Sequence, residues 1–200
     1  MVWRHTELMS IYAIYPKANL SKRNFKESIV PYLLRNYAVN FPNQVWSIDI
    51  SYIPMPMGHM YLTAIIDWYS RKIVGHYLPD TLDTESVIHT VKEAVAAHGI
   101  PAILNSDQGC QFISTEYKTL LKSLQIRQSM DGKSRWADNI MIERWFRSLK
   151  TEQIYPNEYH SPKELRKLIG DYVHAYNTER PHEALEYAAP DAVYYGMFAA

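Results

Sequence analysis

Val45-Trp46-Ser47-Ile48-Asp49-Ile50-Ser51-Tyr52 decides the fold. Trp46, Ile48, Ile50 and Tyr52 fall on one side of an extended chain and Ser47, Asp49 and Ser51 on the other, the two-residue period of a half-buried strand. Working outward, Met60 to Trp68 alternates again, Asp67-Trp68-Tyr69-Ser70-Arg71 reads as a turn, and Lys72 to Leu78 makes a third strand, so the first three strands form a meander. Beyond Pro79 the period lengthens. Val87, Val91, Ala94 and Val95 share a helix face, and Gly99 is placed to stop that helix before Pro101. Ile100 to Asn105 reads as a short buried strand, Ser114 to Leu124 as a helix and Ile126 to Ser129 as a last strand. The order βββαβαβα predicts an α/β fold with a mixed five-stranded sheet flanked by helices.

After this core, Ser129 to Ala137 reads as loop, followed by a helix capped by Asp138 with Ile142, Trp145, Phe146 and Leu149 as its apolar side. Ser161-Pro162-Lys163-Glu164 is a capping box with Pro at the first helical position. It opens a helix with an apolar stripe at Leu165, Leu168, Ile169, Tyr172, Val173 and Tyr176, which needs a surface to pack on. Residues 1–44 are poorly periodic and read as a basic connecting arm with one helical turn at Tyr32 to Asn36.

Two hundred residues with 47% hydrophobic content suffice for one domain with a substantial core. The single cysteine, Cys110, excludes an internal disulfide and a cysteine-rich zinc site, and it reads as a small buried side chain. No apolar run is long enough for a membrane span and no secretory leader is visible, so the expected location is the cytoplasm, associated with the nucleoid when bound to DNA. The net charge is zero, but residues 1–45 carry six Lys/Arg against two Asp/Glu, and residues 127–150 six against three. Basic charge is therefore concentrated, which suits a nucleic-acid partner better than the neutral total implies.

Three carboxylates stand at unusual places: Asp49 mid-strand, Asp107 just past the end of a buried strand, and Glu143 in the helix after the loop, 35 residues beyond Asp107. Each alone has an ordinary explanation as solvated strand face, turn residue or helix surface. Together with their flanks they carry a specific resemblance. Val45 to Ile53, Ile65-Ile66-Asp67-Trp68-Tyr69-Ser70-Arg71, Asn105-Ser106-Asp107-Gln108-Gly109-Cys110-Gln111-Phe112, Ser129 to Lys133, Asp138-Asn139, Glu143-Arg144, Arg147 to Lys150 and Tyr176 to His182 resemble the catalytic part of bacterial insertion-sequence transposases with a retroviral-integrase-type core. The resemblance covers about residues 30–195. The family more often has Thr at position 48, Gly or Ser at 110, Thr at 113 and Gly at 134; here these are Ile48, Cys110, Ile113 and Ser134.

The resemblance implies a ribonuclease H-like fold, with a basic arm at 1–41 shortened relative to the family, an integrase-like catalytic core at 42–155, and a C-terminal helix and tail at 156–200 that pack on it. It places an Asp-Asp-Glu triad on Asp49, Asp107 and Glu143, both as catalytic residues and as ligands of two Mg²⁺ or Mn²⁺ ions. Such chemistry needs clustered acids, because hard divalent cations relieve their mutual repulsion and two ions about 3.5–4 Å apart clamp the attacking and leaving oxygens of a phosphodiester. The three carboxylates must then converge. Asn139, Arg147 and Lys150 lie at i−4, i+4 and i+7 from Glu143 and share its face. Lys150 is the implied contact to DNA near the reacting end, with Arg147, Asn139, Lys133 and Arg135 as further contacts.

The expected activity is hydrolysis at the element's ends followed by 3′-hydroxyl transfer into target DNA, with double-stranded DNA and further copies of the chain as partners. A same-fold nuclease that does not join, and a non-catalytic remnant that binds DNA or a partner, stay open. Relatives carry end-recognising helical segments before the core. The arm, with Lys17, Lys22, Arg23, Lys26 and Arg35, lacks paired amphipathic helices, so the chain is expected to need a partner protein or fusion for end recognition. His182 reads as structural, fixing the tail, and Asp67 as a turn residue or the partner of Arg71.

Overall fold

The computed structural model describes residues 30–131 and 139–197. The proposed contacts Lys133 and Arg135, the cap Asp138, and most of the basic arm lie outside the described residues. Strand β1 (Val45–Met55) pairs antiparallel with β2 (Gly58–Asp67), which pairs antiparallel with β3 (Ile73–Tyr77). Helix α1 (Thr84–His98) then crosses to β4 (Ile103–Ser106), and α2 (Thr115–Ser123) to β5 (Arg127–Met130). The sheet order is β3-β2-β1-β4-β5, with β4 and β5 parallel to β1. This is the mixed five-stranded sheet that the alternation predicts.

Local chemistry sets the helix ends. The Asp83 side chain accepts a hydrogen bond from the Ser86 amide at the start of α1, and Gly99 closes it at φ 87°, a left-handed conformation open to glycine. Ser114 caps α2 in the same way. Helix α3 (Ile140–Leu149) starts at Asn139, which makes no side-chain cap bond. It continues into a π-helical turn, Lys150–Ile154, a feature frequent at functional sites. Ser161 caps α4 (Pro162–Thr178) through the Glu164 amide, and a short α5 (Pro190–Tyr194) ends the described chain.

Both sheet faces are covered. Trp46, Ile48, Ile65 and Val74 pack under α1 and α2 with Val87, Val91, Tyr117 and Leu121. On the other face Ile53, Leu62, Ala64 and Ile66 meet Trp145 and Leu149 of α3 and Leu165, Ile169 and Tyr176 of α4. At about 1.5–3 kcal/mol per fully buried large apolar side chain, this second layer is a main source of the force that seats α3 on the sheet.

Two expectations change, and a third narrows to one of its alternatives. Tyr32 to Asn36 makes only a turn, with Asn36 at φ 58°, a left-handed conformation that ends any helix there. Cys110 is exposed, because the turn after β4 sends Gln111 and Phe112 inward in its place. Asp67 does hold a turn, but its carboxylate accepts from the Ser70 amide and hydroxyl at 2.8 and 2.7 Å and from the Asn43 amide at 2.8 Å. Arg71 is tied to Asp67 only through its own amide and the Asp67 carbonyl.

Candidate active site

Strand order decides where the acids meet. β1 is the switch strand, antiparallel to β2 on one side and parallel to β4 on the other, and crevices at the carboxyl ends of such strands are where α/β proteins bind ligands. The last parallel pair is Ser47 with Asn105. Two residues further along stand Asp49, within β1, and Asp107, just past the end of β4 at Ser106, close enough that the charge of Asp107 helps to raise the Asp49 pKa.

Glu143 comes from the opposite layer. Helix α3 buries Ile142, Trp145, Phe146 and Leu149, which leaves Glu143, Arg147 and the following Lys150 on the side of the helix toward the end of β1. A cleft of about 320 Å³ results, lined by Asp49, Ser51, Glu143, Arg147, Lys150 and Tyr155. Sequence reasoning brought four of these together. Ser51 and Tyr155 went unnoticed; the signal for Ser51 was its parity with Asp49, and Tyr155 is delivered by the π turn.

The electrostatics are those of an acid cluster. Burial pushes the Asp49 carboxyl up to about 7, and the charges of Asp107, Glu143 and Asp131 push the same way, against one hydrogen bond from the Ile50 amide at 2.7 Å. Asp131 is thus a fourth acid near the site, held by the Asn105 amide group at 2.8 Å. Burial lowers the pKa of Lys150, and the neighbouring Asp49 partly offsets this.

The donors are hard carboxylate oxygens, the type that Mg²⁺ or Mn²⁺ prefers, so the residue set fits such an ion. Among the described residues, however, no three acidic, imidazole or thiol groups stand together as a ready metal cage. Asp107 is exposed and its Oδ1 accepts the Gly109 amide at 2.9 Å, while Asp49 and Glu143 border the cleft. Asn139 is buried, with its Oδ1 unpartnered among the described residues, and does not line the cleft.

The profile of the Integrase core domain family matches residues 40–135, and a second Integrase core domain profile matches residues 124–190. An uncharacterized transposase-like protein of Haemophilus influenzae is 33% identical over 159 residues, 79% of this chain and 74% of that protein. The chain belongs to the insertion-sequence transposases with an integrase-type core. The transposase for insertion sequence element IS904 of Lactococcus lactis is 33% identical over 86% of this chain and 67% of its own length. Transposase InsF for insertion sequence IS3A of Escherichia coli is 30% identical over 75% of this chain, which spans only 53% of that relative.

Solved structures agree on the fold. The dimeric HTLV-2 integrase catalytic core domain in complex with magnesium superposes at TM-score 0.61 and 18% identity over 77% of this chain and 97% of that one. The chain in the simian T-cell lymphotropic virus intasome in complex with PP2A regulatory subunit B56 gamma does so at TM-score 0.70 and 19% identity over 94% and 66%. The transposase core therefore has the ribonuclease H-like fold. No helix among the described residues is long and apolar enough to cross a membrane.

Proposed function

We propose that Asp49, Asp107 and Glu143 are the catalytic acids of a metal-dependent polynucleotidyl transferase that hydrolyses the element's DNA ends and joins them to target DNA. The observation that carries this is the cleft beside β1: Glu143 and half-buried Asp49 line it with Arg147 and Lys150, and the charges of Asp107 and Glu143 help to raise the Asp49 pKa. Uncompensated acids in a cationic cleft suit a site that takes up divalent ions and a phosphodiester together.

In this reading Asp49 of β1, Asp107 just past β4 and Glu143, delivered by α3, would hold Mg²⁺ or Mn²⁺ as a pair of ions. When bound, these supply Lewis acidity and bring an attacking oxygen toward deprotonation at neutral pH. Lys150 and Arg147 hold the phosphate backbone so that water, and then the freed 3′-hydroxyl, approaches in line. No covalent link to the protein is needed, because hydrolysis leaves the 3′-hydroxyl that then attacks the target strand, whose own 3′-oxygen departs. Double-stranded DNA is the substrate, copies of the chain assemble on paired ends, and a partner protein or another segment reads the end sequence.

The test is cleavage and joining of labelled duplexes bearing the element's terminal sequence, with Mg²⁺. Asp49→Asn, Asp107→Asn and Glu143→Gln should each abolish both steps while the circular dichroism spectrum stays that of the wild type. Normal turnover by Asp107→Asn refutes the assignment. Hydrolysis without joining of a pre-cut end would make the protein a nuclease of the same fold.

A further inference from the structure

Helix α3 separates two hollows. Glu143, Arg147 and Lys150 face the candidate active site, while Arg144 and Ser148, about a quarter-turn round the helix, face a second hollow of about 270 Å³. Arg71 from the turn after β2, Tyr176 of α4, and Arg180 and His182 from the segment after α4 also line it. Three arginines from three separate parts of the chain thus line one hollow.

Their partners differ. Arg180 is engaged: its two terminal nitrogens reach the Glu152 carboxylate at 2.5 and 2.8 Å. Arg71 and Arg144 form no ion pair among the described residues, and the one carboxylate in the described lining is Glu183. The Arg71 backbone sits at φ 62° in the turn that the Asp67 carboxylate holds. The Nε2 of His182 is buried without a hydrogen-bond partner among the described residues, although the ring packs edge-on against Tyr176 at 4.9 Å. Burial together with the charges of Arg180 and Arg71 lowers the pKa of this imidazole to about 4, so at neutral pH it adds no charge.

We infer that this hollow is a phosphate site that holds a DNA backbone phosphodiester flanking the one at the candidate active site. Planar guanidinium forks match phosphate oxygens in pairs, and the Ser148 hydroxyl adds a neutral donor. Continuity of charge across α3 favours DNA over an acidic peptide. Arg144 and Arg147 are about 4.5 Å apart along the helix axis, so a strand crossing α3 meets cations in both hollows. The inference rests on the reading of the protein as a DNA-transacting enzyme, and its test separates the two.

The variants are Arg144→Gln and Arg71→Asn, the second chosen because asparagine tolerates the left-handed backbone at position 71. Lys163→Gln, on the exposed start of α4, removes the same charge elsewhere. Binding of a labelled duplex is measured by fluorescence anisotropy from 50 to 200 mM salt. Each arginine variant should weaken binding several-fold, equally for all sequences, and lower the slope of log K against log salt by about 1, while Lys163→Gln leaves the slope unchanged. In parallel, inorganic phosphate is titrated while the His182 imidazole resonances are followed by NMR; they should shift in the wild type and not in Arg144→Gln.

Wild-type slopes in both arginine variants overturn the inference and leave the enzymatic reading standing. A phosphate response at His182 with no duplex binding by the wild type supports the site and refutes the DNA reading. Absence of both responses overturns the inference, as does tighter binding of a polyglutamate peptide than of duplex with the same His182 shift.

Discussion

Removing the Asp191 carboxylate should unlock the end of the chain. Lys72, just before β3, is only 5% exposed, and its ammonium pairs with Asp191 of α5. The same ammonium lies 5.4 and 4.8 Å from the ring centroids of Tyr194 and Tyr195, so Asp191→Ala strands a charge among aromatic rings. Breaking a buried pair costs about 3–5 kcal/mol, and because the Asp191 side chain keeps 21% of its exposure the lower end applies, about 3 kcal/mol. For a chain of this length that lowers Tm by roughly 6–12 °C. Replacing the pair by Lys72→Met with Asp191→Leu should recover stability to within about 1 kcal/mol of the wild type, since two apolar side chains leave nothing unpaired. Urea denaturation read together with thermal unfolding measures both. A Tm loss below about 2 °C for Asp191→Ala, or a double variant no better than the single one, would show that the pair does not hold the tail in this way.

Other perturbations follow from the same geometry. Gly75→Ala puts a Cβ 2.9 Å from the Ala94 Cβ where β3 passes under α1, and should destabilise by about 1–3 kcal/mol in urea denaturation. Asp83→Ala removes the cap of α1 and should cost about 1 kcal/mol. Hydrogen bonds from Thr81 and Ser86 hold the Asp83 carboxyl below its usual pKa, so its contribution is present above about pH 4 and is lost as pH falls through the folded-state value; Asp83→Asn should flatten that limb of the stability curve. For His182 the folded pKa of about 4 lies below the unfolded value, so the unfolded chain binds more protons between about pH 4 and 6.5. Stability should therefore be lost as pH is lowered through that window, and less so in His182→Gln, as denaturation at pH 7 and pH 5 will show.

Much of this was legible in the sequence. The two-residue period around Asp49 and the stops at Gly99 and Pro101 are local signals, and the structure follows them. What escaped is non-local. The second hollow draws on Arg71, Arg144 and Arg180, each an ordinary surface residue in its own segment, and only the packing of α3 and α4 on the sheet joins them. The inside–outside choice at Cys110 depended on which neighbour filled the space, and Phe112 won. Parity within β1 correctly set Asp49 apart from Trp46, but it could not say that the polar face too would be covered, with Ser47 buried and its hydroxyl taking the Trp68 indole N–H at 2.7 Å.

The parallel pairing of Ser47 with Asn105 has a consequence for how this protein tolerates change. The register of β1, which carries Asp49, against β4, after which Asp107 follows, is set by backbone hydrogen bonds, which any side chains compatible with a strand can make. Core residues can thus be exchanged for others of similar volume without shifting β1 against β4. A one-residue insertion within β1 before Asp49 is a different event: it would turn that carboxylate to the opposite face, beneath α1, and abolish the pairing in one step. Lengthening the connection at Pro79 to Leu82, which precedes α1 and is outside every strand, would leave the acids where they are. Random insertion libraries should therefore divide sharply between these two stretches, with survivors in the loop and none in the strand.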